Sequence, residues 1–337
     1  MKVLICDYPE PMNRDLDIER GHLRDGLGQD VDIGIYVHQG DRQALLAALQ
    51  GVDAVLTAYL EFPREVLQAC DRLRFISIEA TGYNFVDAGA AQELGIGVAV
   101  IGEYCTQEVA DHTLALALCA TRSLKAYDVD ICQRHRYDFN CCPPPIRLQG
   151  AVFGIVGLGK IGRAVARRAQ GFGMEVLAYD PYCPADLASE NDVRSTTLEE
   201  LYARSDILSL HTLLTPQTRG MLNRDAFAKM RRQPVIVNVS RGDLIVEEDL
   251  VHALDHGLVR AAALDVLCQE SHEAMIGHPL AGRDNVVLTP HVAFYSAQSM
   301  ADCARISSWN ISHFLRGEPE KVFRMVNQVA APPGKPA

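Results

Sequence analysis

Three side chains suited to acid–base chemistry each follow an apolar run that resembles a β-strand. Arg241 comes directly after "VIVNVS", and His291 comes directly after "NVVLTP". Glu270 lies five residues beyond Asp265, which falls at the end of the run "AAALDV". A histidine can deliver a proton near neutral pH, a carboxylate can orient the imidazole, and an arginine can bind a carboxylate through two parallel hydrogen bonds. This set predicts reduction of a 2-oxo acid, in which the carbonyl oxygen takes up a proton.

Taken singly, each of these residues also has a structural explanation. An arginine after a strand is usually solvated or ion-paired, a glutamate in "CQESHE" usually faces solvent, and a histidine after a strand is usually structural. The carboxyl ends of parallel strands share one edge of a sheet, and ligands of open α/β sheets bind at that edge. The coincidence of all three at one predicted edge therefore favours function.

A glycine-rich segment predicts where a dinucleotide binds. "GLGKIG" follows the strand-like run "VFGIVG" and places Gly157, Gly159 and Gly162 at the start of a predicted helix. A pyrophosphate needs backbone N–H donors there, and side chains would block its approach. Asp180 ends the next strand, where a carboxylate binds the adenosine ribose and repels a 2′-phosphate. The segment predicts NAD rather than NADP, although the glycines alone would also fit a tight turn.

The elements that position these residues form two alternations of strand and helix, which are typical of parallel sheets covered by helices. The first contains the runs "KVLIC", "VDIGIYV", "DAVLTA", "RFISIE" and "GVAVI", with helices at 41–50 and 63–70. A long helix at about 106–122 and an irregular, proline-containing segment come next. The second alternation begins at Ala151 and has six predicted strands, and a final helix covers about 296–317.

Composition excludes several functional classes. A chain of 337 residues predicts two domains, and a net charge of -11 disfavours nucleic acid and anionic lipid as partners. No apolar stretch is long enough for a membrane span, and "MKVLICDYPE" turns acidic too early for a signal peptide. It predicts a first strand instead. The tail "APPGKPA" (331–337) is expected to be frayed.

The cysteines and histidines do not predict a metal site. Ten cysteines without a C-x-x-C motif indicate reduced thiols and a cytoplasmic protein. The pair Cys141–Cys142 precedes "PPP" and is predicted to lie in a loop. His252 and His256 have the spacing of a metal pair on a helix, but no third ligand accompanies them, so a solvated helix is the simpler interpretation.

The chain resembles the D-2-hydroxyacid dehydrogenases over nearly its whole length, with successive family motifs in the same order and at the same spacing. The matching motifs are "GLGKIGRAVARRAQGFGMEVLAYDPY", "LHTLLTPQTRGMLN", "VNVSRGDLIVEEDLVHAL", "AAALDVLCQE" and "LTPHVAFYS". The resemblance implies an α/β fold with two Rossmann-like, doubly wound parallel-sheet domains and a cleft between them. It implies a flavodoxin-like substrate-binding domain of residues 1–101 plus 296–337 and an NAD-binding Rossmann domain of residues 102–295. Members usually form homodimers through the NAD-binding domain.

The resemblance also implies a set of site residues. It assigns Arg241 as the carboxylate clamp, His291 as the acid/base and Glu270 as the partner of His291, with Asp265 contacting the nicotinamide carboxamide. The predicted cofactor contacts are Gly157, Gly159, Lys160, Ile161, Gly162, Asp180, His211, Thr218, Val239, Asp265 and His291. The predicted substrate contacts are Tyr59, Ala80, Thr81, Gly82, Arg241 and Phe294. Tyr59 and Phe294 either wall the pocket or pack at the domain seam.

Some features separate this chain from particular branches of the family. "HVAFYS" and "EYCTQEVADHTLALAL" resemble the C-terminal-binding-protein corepressors, so an NAD(H)-gated binding protein with little turnover is the alternative to an enzyme. Ile78 stands where phosphoglycerate dehydrogenases and the corepressors carry arginine, which disfavours a phosphorylated substrate. Glu79 either faces solvent or selects a substrate with a positive or hydrogen-donating group. Cys268 is either an oxidisable thiol near the site or an inert one.

Overall fold

Two parallel β-sheets organise the chain, one in each of two units. The structure, a computed structural model, describes residues 1–329, except for the side chains of residues 185–187. The tail for which fraying is predicted lies outside the described residues. The first unit comprises Met1–Tyr104 and the segment from Ser296 onward, and the second comprises Cys105–Tyr295.

The first unit is built on a five-stranded parallel sheet with the order β2-β1-β3-β4-β5. Its strands are β1 (Lys2–Asp7), β2 (Asp32–Val37), β3 (Ala54–Thr57), β4 (Phe75–Ile78) and β5 (Gly97–Val100). The helices between them are α1 (Pro9–Met12), α2 (Asp17–Leu27), α3 (Arg42–Ala48), α4 (Arg64–Gln68) and α5 (Ala88–Glu93). Every residue of β3, β4 and β5 is buried, because apolar cores lie on both faces of the sheet.

The second unit is built on a seven-stranded parallel sheet with the order β12-β11-β10-β9-β6-β7-β8. Its strands are β6 (Val152–Val156), β7 (Glu175–Tyr179), β8 (Arg194–Ser195), β9 (Ile207–Leu210), β10 (Val235–Asn238), β11 (Ala261–Leu264) and β12 (Val286–Leu288). Its helices are α6 (Thr106–Thr121), α7 (Leu124–Cys132), α8 (Lys160–Gly171), α9 (Ala185–Glu190), α10 (Leu198–Arg204), α11 (Arg224–Ala228), α12 (Glu247–Asp255) and α13 (His272–Met275). Two apolar clusters cover the faces of this sheet.

The last long helix, α14 (Ala297–Leu315), belongs to the first unit, where it packs against α2 and β4. Ser296 begins it with a capping box, in which Ser296 and Ser299 each bond the backbone N–H of the other. Near its end, Phe314 stacks on Phe75 with the ring centroids 4.3 Å apart. This contact ties the carboxyl-terminal segment to the sheet formed by the start of the chain.

The predicted fold class, an α/β architecture of two doubly wound parallel sheets, is confirmed. Several elements were not predicted, among them the short helices α1 and α13, strand β8 and helix α7. Strand β8 lies at the sheet edge and has only two residues, both exposed, so it is too short to show a periodic pattern. Helix α7 lies in the segment after α6, ahead of the irregular prolines.

Across residues 1–329, no helix combines the length and the apolar character that a bilayer crossing requires. All ten cysteines are free thiols.

Candidate active site

Three neighbouring strands, β10, β11 and β12, end at the same edge of the second sheet, and the predicted catalytic residues lie just beyond them. His291 comes after β12 and Glu270 comes after β11. His291 Nδ1 and Glu270 Oε2 are 2.8 Å apart, which is hydrogen-bond distance. The two side chains are 43% and 42% exposed, so the pair lies open at the surface of this unit. The structure therefore brings together two side chains that are separated by twenty residues of loop and strand.

The backbone of His291 adopts a conformation that side chains rarely take. Its φ is 51°, in the left-handed region, which is costly for a residue other than glycine. The His291 N–H donates to the carbonyl of Asp265 at 2.7 Å, and this bond helps to hold the turn. Strain of this kind persists only where surrounding contacts impose it, and it is concentrated at functional sites.

Asp265 supplies most of those contacts. Its buried carboxylate accepts hydrogen bonds from the backbone N–H groups of Val292 and Ala293, both at 2.9 Å, and from the Thr289 hydroxyl at 2.5 Å. Burial by itself raises the pKa of Asp265, but these bonds and one from His112 outweigh it and lower the pKa below its ordinary value. Asp265 is thus an ionised anchor for the loop that carries His291, and its contact with the carboxamide stays a prediction.

A fourth residue of this network, His112, was not selected from the sequence. It projects from α6, and its Nε2 lies 3.0 Å from the Thr289 hydroxyl and 3.5 Å from Asp265 Oδ1. The available signal was a histidine at the head of the apolar run "TLALALCA", a pattern that is equally typical of a solvated helix position. His112 joins α6 to the catalytic loop.

Arg241 lies on the adjacent loop, after β10. Its side chain is exposed, and Nη1 donates to the carbonyl of Ser240 at 2.6 Å. No carboxylate within the described residues forms an ion pair with it, and no hydrogen bond there links it to Glu270 or His291. Asn238 fixes the turn, because its side chain donates to the Arg241 carbonyl at 2.8 Å and accepts from the Ser240 N–H at 3.0 Å. The guanidinium charge remains available to a ligand.

The loop after β6 has the geometry of a phosphate cradle. Gly157 has φ +93°, and a Cβ there would lie 2.7 Å from the His211 carbonyl oxygen. A Cβ on Gly162 would lie 2.2 Å from the Gly157 carbonyl oxygen, so this glycine permits close packing of helix and strand. A Cβ on Gly159 would meet nothing within 4 Å, so the chain itself does not require a glycine there. A ligand approaching the backbone explains it, and the cradle therefore fits a dinucleotide pyrophosphate.

Asp180 stands at the end of β7 beside this cradle. Its carboxylate accepts from the Leu158 N–H at 2.8 Å and from the Tyr182 N–H at 2.9 Å. These bonds fix the carboxylate next to the glycine loop, as a contact to the ribose requires. The ribose contact itself stays a prediction.

The remaining predicted cofactor residues border the same edge. Lys160 and Ile161 begin α8, and Val239 is buried after β10. Thr218 braces its own loop, with its hydroxyl donating to the Leu213 carbonyl at 2.7 Å. His211 follows β9, and burial lowers its pKa to about 3, so its ring is neutral. Their contacts with a cofactor stay predictions.

The predicted substrate residues fall in both units. Ala80, Thr81 and Gly82 form a surface loop after β4 in the first unit. Tyr59, in the same unit, is 49% exposed, and its ring centroid lies 6.4 Å from that of Phe85. Phe294, in the second unit, packs against the core cluster that includes β6 and β10. The two interpretations of these aromatics, pocket wall or domain seam, both stay predictions.

Glu79 does not face solvent, so that interpretation is wrong. Its side chain is 3% exposed, forms an ion pair with Arg14 and accepts from the Ser307 hydroxyl at 3.1 Å. Its carboxylate is engaged in the interior and does not project toward a ligand. The sequence could not reveal this, because the direction of one side chain after a strand depends on partners from distant segments.

Cys268 resembles an inert thiol. Burial and the nearby Glu247 carboxylate raise its pKa to about 12, which keeps the thiol protonated. Within residues 1–329, no group of three or more His, Cys, Asp or Glu side chains could hold a metal ion. His252 and His256 stack on each other along α12, with ring centroids 3.9 Å apart.

The chain is similar to known proteins in sequence and in fold. A family profile described as the NAD binding domain of D-isomer specific 2-hydroxyacid dehydrogenase matches residues 114–293. The chain is 38% identical over 289 residues to a hydroxypyruvate reductase of Blautia hydrogenotrophica, with 84% of this chain and 88% of that protein covered. It is 34% identical over 289 residues to a D-3-phosphoglycerate dehydrogenase of Methanocaldococcus jannaschii, with 85% of this chain but only 54% of that protein covered.

A solved structure extends the likeness to the fold. The D-lactate dehydrogenase of Aquifex aeolicus, determined with NAD and lactic acid, matches with a TM-score of 0.81 and 26% identity. That match covers 96% of this chain and 98% of the other. The chain belongs to the D-isomer specific 2-hydroxyacid dehydrogenase family, and it is an NAD-dependent oxidoreductase of 2-hydroxy acids whose NAD-binding domain lies in the second unit.

Proposed function

We propose that this protein reduces a small, unphosphorylated 2-oxo acid to the D-2-hydroxy acid with NADH, or catalyses the reverse reaction. The observation that carries the proposal is the hydrogen bond of 2.8 Å between His291 and Glu270. A strained loop, anchored by buried Asp265, presents this pair at the sheet edge that also bears the glycine cradle. A pure scaffold has no need of such a pair, but the corepressors retain it, so a substrate screen has to decide between an enzyme and a binding protein.

His291 is the proposed proton donor. The Glu270 carboxylate accepts from Nδ1, so Nδ1 carries a hydrogen and Nε2 is the ring atom that exchanges a proton with the substrate oxygen. Glu270 also stabilises the charged imidazolium that exists before the transfer. When bound, NADH supplies the hydride that C2 of the substrate accepts. In the reverse direction, Nε2 receives the hydroxyl proton.

Arg241 is the proposed partner of the substrate carboxylate. Its guanidinium is exposed and has no carboxylate partner within the described residues, and Asn238 holds the backbone turn that carries it. Two parallel N–H donors match the two oxygens of a carboxylate. The backbone N–H groups of Ala80, Thr81 and Gly82 are proposed to bind the same group.

The proposal favours unphosphorylated acids. Ile78 stands at the position that carries arginine in phosphoglycerate dehydrogenases, and it is fully buried in the apolar core of the first unit. It therefore offers no charge to a phosphate group. Hydroxypyruvate and glyoxylate, which name relatives 38% and 34% identical to this chain, are the first candidates.

A substrate screen tests this function. Hydroxypyruvate, glyoxylate, pyruvate and 3-phosphohydroxypyruvate are each mixed with the protein and NADH, and oxidation is followed by nicotinamide absorbance. We expect robust turnover of at least one unphosphorylated acid and weak turnover of the phosphorylated one. NADH-dependent self-association without turnover of any acid would contradict the enzyme and support a corepressor-like binding protein.

We further propose that the protein is a cytoplasmic homodimer joined through the second unit. Exposed apolar side chains concentrate on α7 and the segment after it: Leu124, Ile131, Tyr137 and Phe139 are 55%, 48%, 96% and 80% exposed. Water contact with a cluster of this kind is costly, and a second copy would remove it. Light scattering after size exclusion should give twice the mass of 37.0 kDa. Replacing Tyr137 and Phe139 by serine should yield a monomer.

A further inference from the structure

A buried ion cluster in the first unit contains more acid than base. Arg14 bonds Glu19 through Nε at 3.1 Å and through Nη2 at 2.9 Å, and Nη2 also pairs with Glu79. The carboxylate side chains are 2% and 3% exposed, and Arg14 is 23% exposed. One guanidinium therefore serves two buried carboxylates. Together, these three residues form the Arg14 cluster.

The excess negative charge is poorly compensated. Glu19 Oε2 is buried and has no hydrogen-bond partner within the described residues. Burial raises the pKa of Glu79 to about 7, with Glu19 adding to the rise and Arg14 opposing it. A proton on the cluster removes the excess negative charge. Near neutral pH, the cluster is therefore present in both its protonated and its deprotonated form.

Among the described residues, Arg14 is the cation that pairs with Glu79; Arg20 on α2 and Arg305 on α14 pair instead with Asp17 and Asp302. The loop after α1 contributes Arg14, and α2 contributes Glu19. Helix α14 contributes the Ser307 hydroxyl and the Cys303 thiol, which donates to the Glu79 carbonyl at 3.6 Å. Strand β3 contributes only a backbone carbonyl, that of Thr57, which accepts from the Glu79 N–H at 2.8 Å.

Glu79 directly precedes the loop of Ala80, Thr81 and Gly82. Its N–H, its carbonyl and its carboxylate are all held, so the start of that loop is fixed. The unneutralised charge is thus carried by the residue next in the chain to backbone groups that the proposed function assigns to the substrate carboxylate. A negative charge in a poorly hydrated interior repels an anion bound nearby.

We propose that the Arg14 cluster takes up a proton from solvent when the Ala80–Gly82 loop binds a substrate carboxylate, so that the charge of Glu79 controls affinity for the anionic substrate and not the rate of the chemical step. The inference rests on the proposed function, because it assumes that this loop receives the carboxylate. The proton is bound by a Glu79 oxygen and returns to solvent on release, and no covalent bond to the substrate is formed. Glu79 is therefore a positioning residue.

The test compares the wild type with Glu79→Gln, which keeps an oxygen for Arg14 but cannot ionise. KM and kcat for the best 2-oxo acid are measured between about pH 6 and about pH 8.5, across the Glu79 pKa. We expect the ratio of wild-type KM to variant KM to rise roughly tenfold over this range, because a second charge appears only in the wild type. The ratio of kcat values should stay constant. Any pH dependence of KM or kcat that His291 contributes is common to both proteins and cancels in these ratios.

Glu65→Gln is the matched control. Its side chain is 63% exposed in the same unit and lies 3.8 Å from Arg42, so water screens its charge and its KM profile should follow the wild type. If Glu79→Gln does not fold, Glu19→Gln removes the same excess charge and should give the same rising ratio. Unchanged NADH affinity in each variant reports an intact second unit.

A flat KM ratio with the folded variants, while the wild type turns over substrate, would overturn this inference alone. A fall in kcat with the KM ratio unchanged would also overturn it, since the cluster would then act on the chemical step. Absence of turnover by the wild type with every acid would overturn the proposed function and, with it, the inference.

Discussion

The two units begin with the same construction and differ in the residue at the end of the first strand. In each, the aspartate directly before a strand that pairs with the first strand accepts from the first residue of that first strand: Asp53, before β3, accepts from the Lys2 N–H, and Asp206, before β9, accepts from the Val152 N–H, both at 2.8 Å. Asp7 follows Lys2 in the first unit by as many residues as Gly157 follows Val152 in the second, so Asp7 and Gly157 occupy equivalent positions in the two units.

The two residues at this matched position, Asp7 and Gly157, make different contacts with the neighbouring strand-end backbone. The Asp7 carboxylate accepts from the backbone N–H groups of Ala58 and Tyr59 and from the Thr57 hydroxyl. Gly157 has no side chain, and the corresponding backbone, at His211, lies where a Cβ would be 2.7 Å away. The first unit places a carboxylate at this position, whereas in the second the His211 backbone packs directly against the glycine and leaves no room for a side chain.

This difference explains why a shared sheet design does not give a shared ligand. A doubly wound sheet offers a crevice at the carboxyl ends of its strands, but the residues there decide what enters. A carboxylate at Asp7 repels phosphate, whereas a backbone without side chains at Gly157 and Gly159 lets a phosphate approach its N–H groups. Substitutions at the matched positions of the two units test this explanation.

Placing the residue of the first unit into the second should abolish cofactor binding. Gly157→Asp introduces a side chain at φ +93°, a Cβ 2.7 Å from the His211 carbonyl oxygen and a negative charge beside the pyrophosphate. We expect NADH affinity, measured by fluorescence titration, to fall by roughly a hundredfold or more. Gly150→Asp controls for backbone strain, because Gly150 also has positive φ but open surroundings. Binding within a few-fold of the wild type would contradict the explanation.

The loop-holding carboxylates of the two units can be compared directly. Asp265→Asn leaves one backbone N–H of Val292 or Ala293 without its charged acceptor and should lower the free energy of unfolding by about 2 kcal/mol. Because the pKa of Asp265 is lowered on folding, this contribution is full above its ordinary pKa and is lost as pH falls through the folded-state value. Denaturant titrations at neutral and acid pH measure both effects.

Asp7→Asn should cost a similar free energy of unfolding, because the Asp7 carboxylate also accepts from backbone N–H groups of a distant segment, those of Ala58 and Tyr59, besides that of Tyr8. Asp265→Asn should reduce turnover far more than Asp7→Asn, since the loop that Asp265 holds carries His291. Equal loss of turnover in the two variants would show that the loop held by Asp265 has no special relation to catalysis.

Gly159 has free space around it in the cradle, so a side chain there should weaken NADH binding without changing the stability of the protein. Gly159→Ala meets nothing within 4 Å in the protein, so its thermal unfolding should match the wild type. NADH affinity should fall roughly tenfold, because the new methyl group lies where the pyrophosphate approaches. Gly171→Ala, in the same helix and equally open, should leave affinity unchanged. Unchanged affinity in Gly159→Ala would place the phosphate elsewhere.

Asp180 should set cofactor preference more than cofactor affinity. Asp180→Asn retains an oxygen for the Leu158 N–H but removes the charge that repels a 2′-phosphate. We expect the preference for NADH over NADPH, taken from the ratio of kcat/KM values, to narrow by a factor of about five to ten. An unchanged ratio would count against a ribose contact.

The parts of the molecule that the sequence predicted are those that depend on strand periodicity. Arg241, Glu270 and His291 could be assigned to one sheet edge because parallel strands end together, and the structure joins Glu270 to His291. Contacts between distant segments were not predictable in the same way. The pairing of Glu79 with Arg14 depends on how a short loop packs, and no local pattern records it.

Asp265 illustrates the same limit within the site. Its position after β11 was predicted, but its three hydrogen bonds to the loop after β12 depend on strand register. His112 joins that network from a helix more than a hundred residues earlier. Periodicity identifies which edge a residue reaches, whereas side-chain partners require coordinates.

The most direct test of the catalytic assignment is the turnover of His291→Ala set against its NADH affinity. We predict that kcat falls by roughly a hundredfold to ten-thousandfold, because the proton donor is lost, while the Kd for NADH stays within a few-fold of the wild type. A variant that binds NADH normally and keeps a near-normal kcat would contradict the central claim that His291, oriented by Glu270, protonates the substrate oxygen.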